Sequence, residues 1–329
     1  MQVYAFAELE TALQIIKDNS IDVFLANELF DIDKKSLPVN CGFAYLVESN
    51  GIQSLKNEKT IGKYQMVDQI YKQILSIFSE VNSQIVGTSI NDNNNLKIIS
   101  IVSPAGGVGT STIAASLALR LSLLGGTVLY LDLEKFSSAD LFFHGEGIMT
   151  FSDIIYGLKG RNTNIQLKLE SVVKRDITGV YYYSGCKNAL DIEELNHDDL
   201  QRLIESIQVM NKYNYLIIDS ALTFDEKCQM ILSYSNFIDI VSDGMEYSNN
   251  KVISAMDTIK ILDRQKSEPI SPKVGVIYNR FRTYCSQTLD INEVNTLGGM
   301  PVYKYDNVGQ LIQQISNMQD LDKLTCCAS

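Results

Sequence analysis

The sequence predicts an α/β protein, with a mostly parallel, twisted sheet flanked by helices and a smaller unit of the same class in front of it. Three observations predict this. Short apolar runs ending in polar residues alternate with amphipathic stretches, the order that builds parallel sheets. A glycine-rich segment, SPAGGVGTST at 103–112, falls between an apolar run and a helical stretch. A stretch rich in Asn, Ser and Thr, residues 82–95, interrupts the pattern and reads as a linker. The expected organisation is a front domain at 1–81, the linker at 82–95 and a larger domain at 96–329.

In the front segment, VYAF (3–6) is a short strand candidate. LETALQIIKDN (9–19) places Leu9, Leu13 and Ile16 on one helical face. IDVFLAN (21–27) and FAYLVES (43–49) read as strands, the first a continuous apolar run of the buried parallel type. MVDQIYKQILSIF (66–78) carries Val67, Ile70, Ile74 and Phe78 at helical spacing. The larger segment repeats the pattern with strands at 97–103, 127–133, 215–220, 237–242 and 273–279, and helices at 111–124, 197–211, 249–264 and 307–324. In such sheets ligands bind beyond the carboxyl ends of the strands, so the polar residues ending them are where chemistry is sought.

Charge and cysteine usage exclude several classes. The 329 residues include 28 Lys and Arg against 39 Asp and Glu, a net charge of −11. A protein that coats DNA or an anionic membrane needs a basic surface, so neither is an expected partner. Six cysteines without a CxxC pair, and only two histidines, exclude the usual zinc spacings and read as a reduced cytosolic chain. The start, MQVYAFAELETALQ, has neither the basic nor the apolar region of a secretory signal, and no apolar run approaches the ~20 residues that span a bilayer. The expected location is the cytoplasm.

The glycine-rich segment is the strongest functional signal. Gly106, Gly107 and Gly109 let the backbone turn its N–H groups, with those of Val108, Thr110, Ser111 and Thr112, toward an anion. The helix that follows adds its positive dipole end. Ser111 stands where a phosphate loop places its Mg²⁺-binding hydroxyl.

AGGVGTS (105–111) resembles the deviant phosphate loop, KGGxGKT/S, of the ParA/MinD family of dimerising nucleotide-binding proteins. The resemblance continues through VLYLDLE (128–134), ADLFF (139–143), NYLIID (214–219) and GVIYNRF (275–281). It implies ATP and Mg²⁺ as cofactors and a homodimer. It assigns Asp132 and Asp219 to Mg²⁺ and its waters, Glu134 to the attacking water, Asn279 to the adenine, and Arg280 to the nucleotide site.

Two departures narrow the resemblance. The family's signature lysine is Ala105 here, and the ordinary loop lysine is Thr110. The CpaE/TadZ branch, which serves Tad secretion and Flp-type pilus assembly, habitually lacks the latter and carries a degenerate receiver domain in front. The resemblance therefore implies a P-loop domain behind a truncated, receiver-like (flavodoxin-like) domain. Partners would be pilus or secretion machinery at the inner face of the membrane or a cell pole. A cation at the transferring phosphoryl is worth about 10³–10⁵ in rate, so its loss implies very slow or absent hydrolysis. Readings left open are a cycling ATPase and a nucleotide-free interaction module.

In the front domain the receiver's acceptor position falls on Asn27, which cannot form an acyl phosphate, and Lys63 is a candidate for the receiver's lysine. The segment begins near what would be the second receiver strand, so the start of the natural chain is expected either here or upstream. Docking or dimerisation is its expected role. The tail CCAS (326–329) fits a prenylation box by eye only. The helix at 309–324 has an apolar face but an acidic polar one, which favours packing on the domain over direct membrane insertion.

Overall fold

A computed structural model describes residues 2–18, 21–52, 54–82, 96–160, 162–265, 268–289 and 295–325. Most of the expected linker (83–95) and the CCAS tail lie outside the described residues. The elements in chain order are α1 (Leu9–Asp18), β1 (Val23–Asn27), β2 (Gly42–Val47), β3 (Ser54–Leu55), β4 (Glu58–Gly62), α2 (Val67–Val81), β5 (Lys97–Ser103), α3 (Thr110–Leu123), β6 (Val128–Asp132) and α4 (Ala139–Phe142). There follow α5 (Phe151–Lys159), α6 (Ile165–Val172), β7 (Lys174–Arg175), β8 (Tyr181–Tyr182), α7 (His197–Met210), β9 (Tyr215–Ala221), α8 (Glu226–Tyr234), β10 (Phe237–Ser242), α9 (Glu246–Asp263), β11 (Val274–Phe281), β12 (Asn295–Pro301) and α10 (Val308–Ser316). Two compact units result: Met1–Gly87 with Tyr156–Val172, and Thr88–Ile155 with Val173–Ser329.

The first unit holds a sheet in the order β1-β2-β4-β3, parallel except for β3. Phe43, Tyr45 and Val47 of β2 pack with Ile16 of α1 on one face, while Ala44 and Ile61 meet Ile77 of α2. The hairpin β3–β4 turns through Lys56 (φ 52°) and Asn57 (φ 65°), two consecutive left-handed residues as a tight two-residue hairpin requires. Lys56 is held there by Phe30 O and Asp31 Oδ1, both at 3.0 Å. A second chain segment completes the unit. The ammonium of Lys168 on α6, buried to 1 % exposure, donates to Ser76 Oγ (2.7 Å) and Glu80 Oε1 (2.9 Å) on α2.

Three expectations are corrected. VYAF (3–6) is exposed and not a strand; four apolar-leaning residues without a pairing neighbour gain nothing from extension. β1 is a half-buried edge strand rather than one buried on both sides, because among the described residues β2 is its one sheet neighbour. The helix expected over 307–324 ends at Ser316 and resumes as a 3-10 segment, Gln319–Thr325. That break turns Leu321 and Leu324 into the core beside Leu311, Ile312 and Ile315.

The second unit holds the large sheet, ordered β12-β11-β10-β5-β9-β6-β8-β7 and parallel apart from the terminal β7. β5 lies inside it, and its run Ile98–Val102 is buried throughout. Ile99 and Ile101 face α3 and α10 on one side, while Val102 faces α8 and α9 on the other. Burial on both faces explains the continuous apolar strands, each such side chain contributing roughly 1.5–3 kcal/mol. From β5 the chain winds one way to β6 and the other way to β10, β11 and β12. The loop after β5 therefore sits at the switch point, where the sheet opens a crevice for a ligand.

Candidate nucleotide-binding site

The loop between β5 and α3 is built by its own small residues. Ser103 Oγ donates to Val241 O (2.7 Å) on the neighbouring strand and accepts from Ala105 N (3.0 Å), which fixes the loop's departure. Gly107 (φ 78°) and Gly109 (φ 88°) occupy the left-handed region, and Gly109 caps α3 without a side chain. A Cβ on Gly109 would stand 2.3 Å from Asn279 Nδ2, so only glycine fits there. The methyl of Ala105 is buried in the core, so the position of the signature lysine points inward in this chain.

Asn279 and Arg280, at the end of β11, brace the same loop. Asn279 is 2 % exposed, and its Nδ2 donates to Val108 O (2.9 Å). Its Oδ1 accepts from Arg280 N (3.0 Å), and Arg280 Nη1 donates to Gly107 O (3.0 Å). The sequence placed both residues near the nucleotide; their grip on the loop itself comes from the fold.

Two carboxylates stand on adjacent strands, Asp132 ending β6 and Asp219 two residues before the end of β9. Asp132 of β6 and Asp219 of β9 are register partners. Asp132 accepts from Glu134 N (2.9 Å), Ser137 Oγ (2.8 Å) and Ser138 N (2.9 Å), so it shapes the loop after β6. Burial raises its pKa against those hydrogen bonds. Asp219 is fully buried; its Oδ2 accepts from Tyr130 OH (2.8 Å), while its Oδ1 has no hydrogen-bond partner. Burial first, and then the charge of Asp132, push Asp219 up to about 8, although the hydroxyls of Ser111 and Tyr130 pull the other way. Glu134 is raised by burial and by Asp132. Lys135 pairs with Glu193.

Sequence reading missed Tyr130, Ser103 and Ser137. Tyr130 was detectable as the one hydroxyl in an apolar strand, two residues before the aspartate. The two serines carry no pattern of their own.

The donor set suits a nucleotide with a divalent ion. A buried carboxylate oxygen with no partner costs free energy unless a ligand completes it. Asp219 Oδ1 is such an atom, on the carboxyl that the Ser111 hydroxyl acts on. Among the described residues no cluster of three or more Asp, Glu, His or Cys could hold a metal by itself.

A glycine cradle at the switch point of a parallel sheet, with two aspartates on adjacent strands, defines a P-loop nucleotide-binding protein. Comparison with known families makes this specific. A family model of AAA domains matches residues 96–271, and a model of the TadZ-like receiver domain matches residues 1–79. The chain belongs to the AAA-domain family of ParA/MinD type, and its pairing with a receiver domain is that of the CpaE/TadZ type. Among curated proteins it is similar to the flagellum site-determining protein YlxH of Helicobacter pylori, at 25 % identity over 219 residues, 64 % of this chain and 71 % of that one. Among solved structures it resembles a ParA family ATPase from Chlorobium tepidum (TM-score 0.54, 20 % identity, covering 70 % of this chain and 96 % of that one). It also resembles the septum site-determining protein MinD of Pyrococcus horikoshii complexed with Mg-ADP (TM-score 0.53, 19 % identity, covering 70 % and 94 %).

Proposed function

We propose that this protein is an ATP-binding localisation and assembly factor for a Tad/Flp-type pilus or secretion system, acting as a nucleotide-held homodimer with very slow or no hydrolysis. The observation that supports the reading is a glycine-rich loop at the sheet's switch point with a buried aspartate near it and no lysine in the loop. The Ser111 hydroxyl acts on the carboxyl of Asp219, whose Oδ1 has no hydrogen-bond partner, while the two lysine positions are Ala105 and Thr110. The similarity to a protein named for site determination supports a positioning role.

In this reading the N–H groups of 106–112 bind the phosphates. Ser111 and Asp219 hold Mg²⁺ and its water, with Asp132 as the outer carboxylate that fixes the neighbouring loop. When bound, the ion would neutralise phosphate charge. Asn279 holds the loop at Val108 and faces the base end of the nucleotide. Glu134 is the candidate for orienting water, but no side chain of the loop brings a cation to the transferring phosphoryl. The machine at the inner membrane face or a cell pole is reached through protein contacts, with the cytoplasm as the compartment, and the front domain serves docking or dimerisation.

Isothermal titration with ATP and Mg²⁺, sizing with and without nucleotide, and a turnover assay test this together. The expected result is binding and dimerisation with turnover below roughly one per minute. Faster turnover sinks the slow-hydrolysis reading in favour of a cycling ATPase, and absence of binding favours a nucleotide-free module.

A further inference from the structure

We propose that Arg280 is the cation of this site, supplying to the bound phosphates the charge that the loop itself lacks. The inference rests on the nucleotide-binding reading above and assigns to one side chain the phosphate-binding task of the missing lysines, not the rate-accelerating one.

Residues 103–112 contain no Lys or Arg. A polyphosphate on this loop would meet backbone N–H groups and a helix dipole, but it would also stand near the carboxyls of Asp132, Asp219 and Glu134. A positive group is needed to balance them. Lys135, the basic residue nearest Glu134 in sequence, is committed to Glu193. Arg280 is held across the loop instead. Its Nη1 lies on Gly107 O, and its Nε lies 3.8 Å from the point where a Cβ on Gly109 would be. The guanidinium thus spans the two glycines that shape the cradle.

The backbone of Arg280 carries a second, independent sign. Its φ is +55°, the left-handed region that L residues with long side chains avoid. Glycine or asparagine would sit there without that cost, and Asn279 Oδ1 pins the conformation by accepting from Arg280 N. Strain of this kind at a ligand site persists where it aims a side chain. Here it turns the chain at the end of β11 so that the guanidinium reaches the loop. The side chain is exposed, and Gly107 O takes one of its five donors, leaving a planar fork suited to phosphate oxygens.

The test compares the full-length wild type with Arg280→Ala, Arg280→Lys and Arg280→Gly. ATP and ADP with Mg²⁺ are titrated by calorimetry and adenosine by NMR, and each protein is melted without ligand. Expected results are at least tenfold weaker ATP and ADP binding for R280A with adenosine unchanged, and partial recovery in R280K. R280G should bind ATP as weakly as R280A yet melt higher than wild type, because glycine releases the strained φ. ATP binding by R280A within twofold of wild type overturns the proposal. So does an equal loss of ATP and adenosine, which would make Arg280 a brace of the loop only. Failure of the wild type to bind any nucleotide would instead remove the underlying reading, a result distinct from unaltered variants.

Discussion

Asp132 and Asp219 stand opposite each other on adjacent parallel strands, yet the fold treats them differently. The first has both oxygens engaged by the loop after β6, and the second keeps one oxygen unpartnered in a fully buried position. Two neighbouring carboxyls with unequal hydrogen bonding ionise unequally. Burial raises both, and Asp219 is pushed up to about 8.

That difference sets a pH dependence. The folded chain keeps a proton on Asp219 that the unfolded chain releases above about pH 4. This carboxyl therefore costs stability progressively as pH rises from about 4 to 8, and fully above that. Asp219→Asn removes the slope. In the absence of nucleotide, wild type should lose stability relative to this variant as pH rises from 5 to 8, by up to about 1.4 kcal/mol per pH unit. Equal pH profiles for the two proteins would contradict the assignment.

Restoring the ordinary loop lysine should restore affinity. Thr110 opens α3 and is only partly buried, so a longer side chain has room to leave the loop. Thr110→Lys is expected to tighten Mg-ATP binding by roughly 1.5–3 kcal/mol, about 10- to 100-fold. Ala105→Lys should lower the melting temperature, because its ammonium would start from a buried position. Calorimetry and thermal melts of the two variants separate these outcomes.

Gly109→Ala should disable the cradle. The added methyl meets Asn279 Nδ2 and sits at φ 88°, so the loop and the end of β11 must both shift. A loss of about 2 kcal/mol or more in stability, together with loss of ATP binding, is the expected outcome in chemical denaturation and titration. Wild-type behaviour would show that the loop adapts without Asn279.

In the first unit, Lys168→Ala should cost roughly 2–4 kcal/mol, since Glu80 would lose its buried partner while keeping Lys59 and some water. Burial alone would raise Glu80, but Lys168 and Lys59 outweigh it and hold the carboxyl below its ordinary value. A depressed acid contributes stability above its unfolded pKa of about 4.3 and loses it as pH falls through the folded value. Hydrogen-exchange protection factors in α2 and α6, corrected for the intrinsic rate at each pH, should accordingly fall between pH 5 and pH 3 in wild type and change less in K168A.

The parts of this molecule legible in the sequence are those written by local periodicity. The strands leading to Ser103, Asp132, Asp219, Ser242 and Asn279 were readable because burial on both faces demands unbroken apolar runs. The hairpin at Lys56–Asn57 was not, because its left-handed residues are held by distant partners instead of by glycine. Helix α6 was not among the expected helices, and its grouping with the front unit goes with Lys168 meeting Ser76 and Glu80, about ninety positions earlier.

The sequence by itself determined the α/β class, the phosphate loop with its glycines and Ser111, and the absence of positive charge from that loop. Composition and spacing are properties of the chain and need no fold to be read. Only the tertiary structure decided which lone pairs are spent and which are left. It closed Asp132 on its own loop, buried Asp219 with one oxygen unpartnered, turned Ala105 into the core and brought Arg280 across from β11 to Gly107. These contacts join residues up to 173 positions apart, and hydrogen-bond satisfaction over that span is fixed by packing rather than by any local pattern.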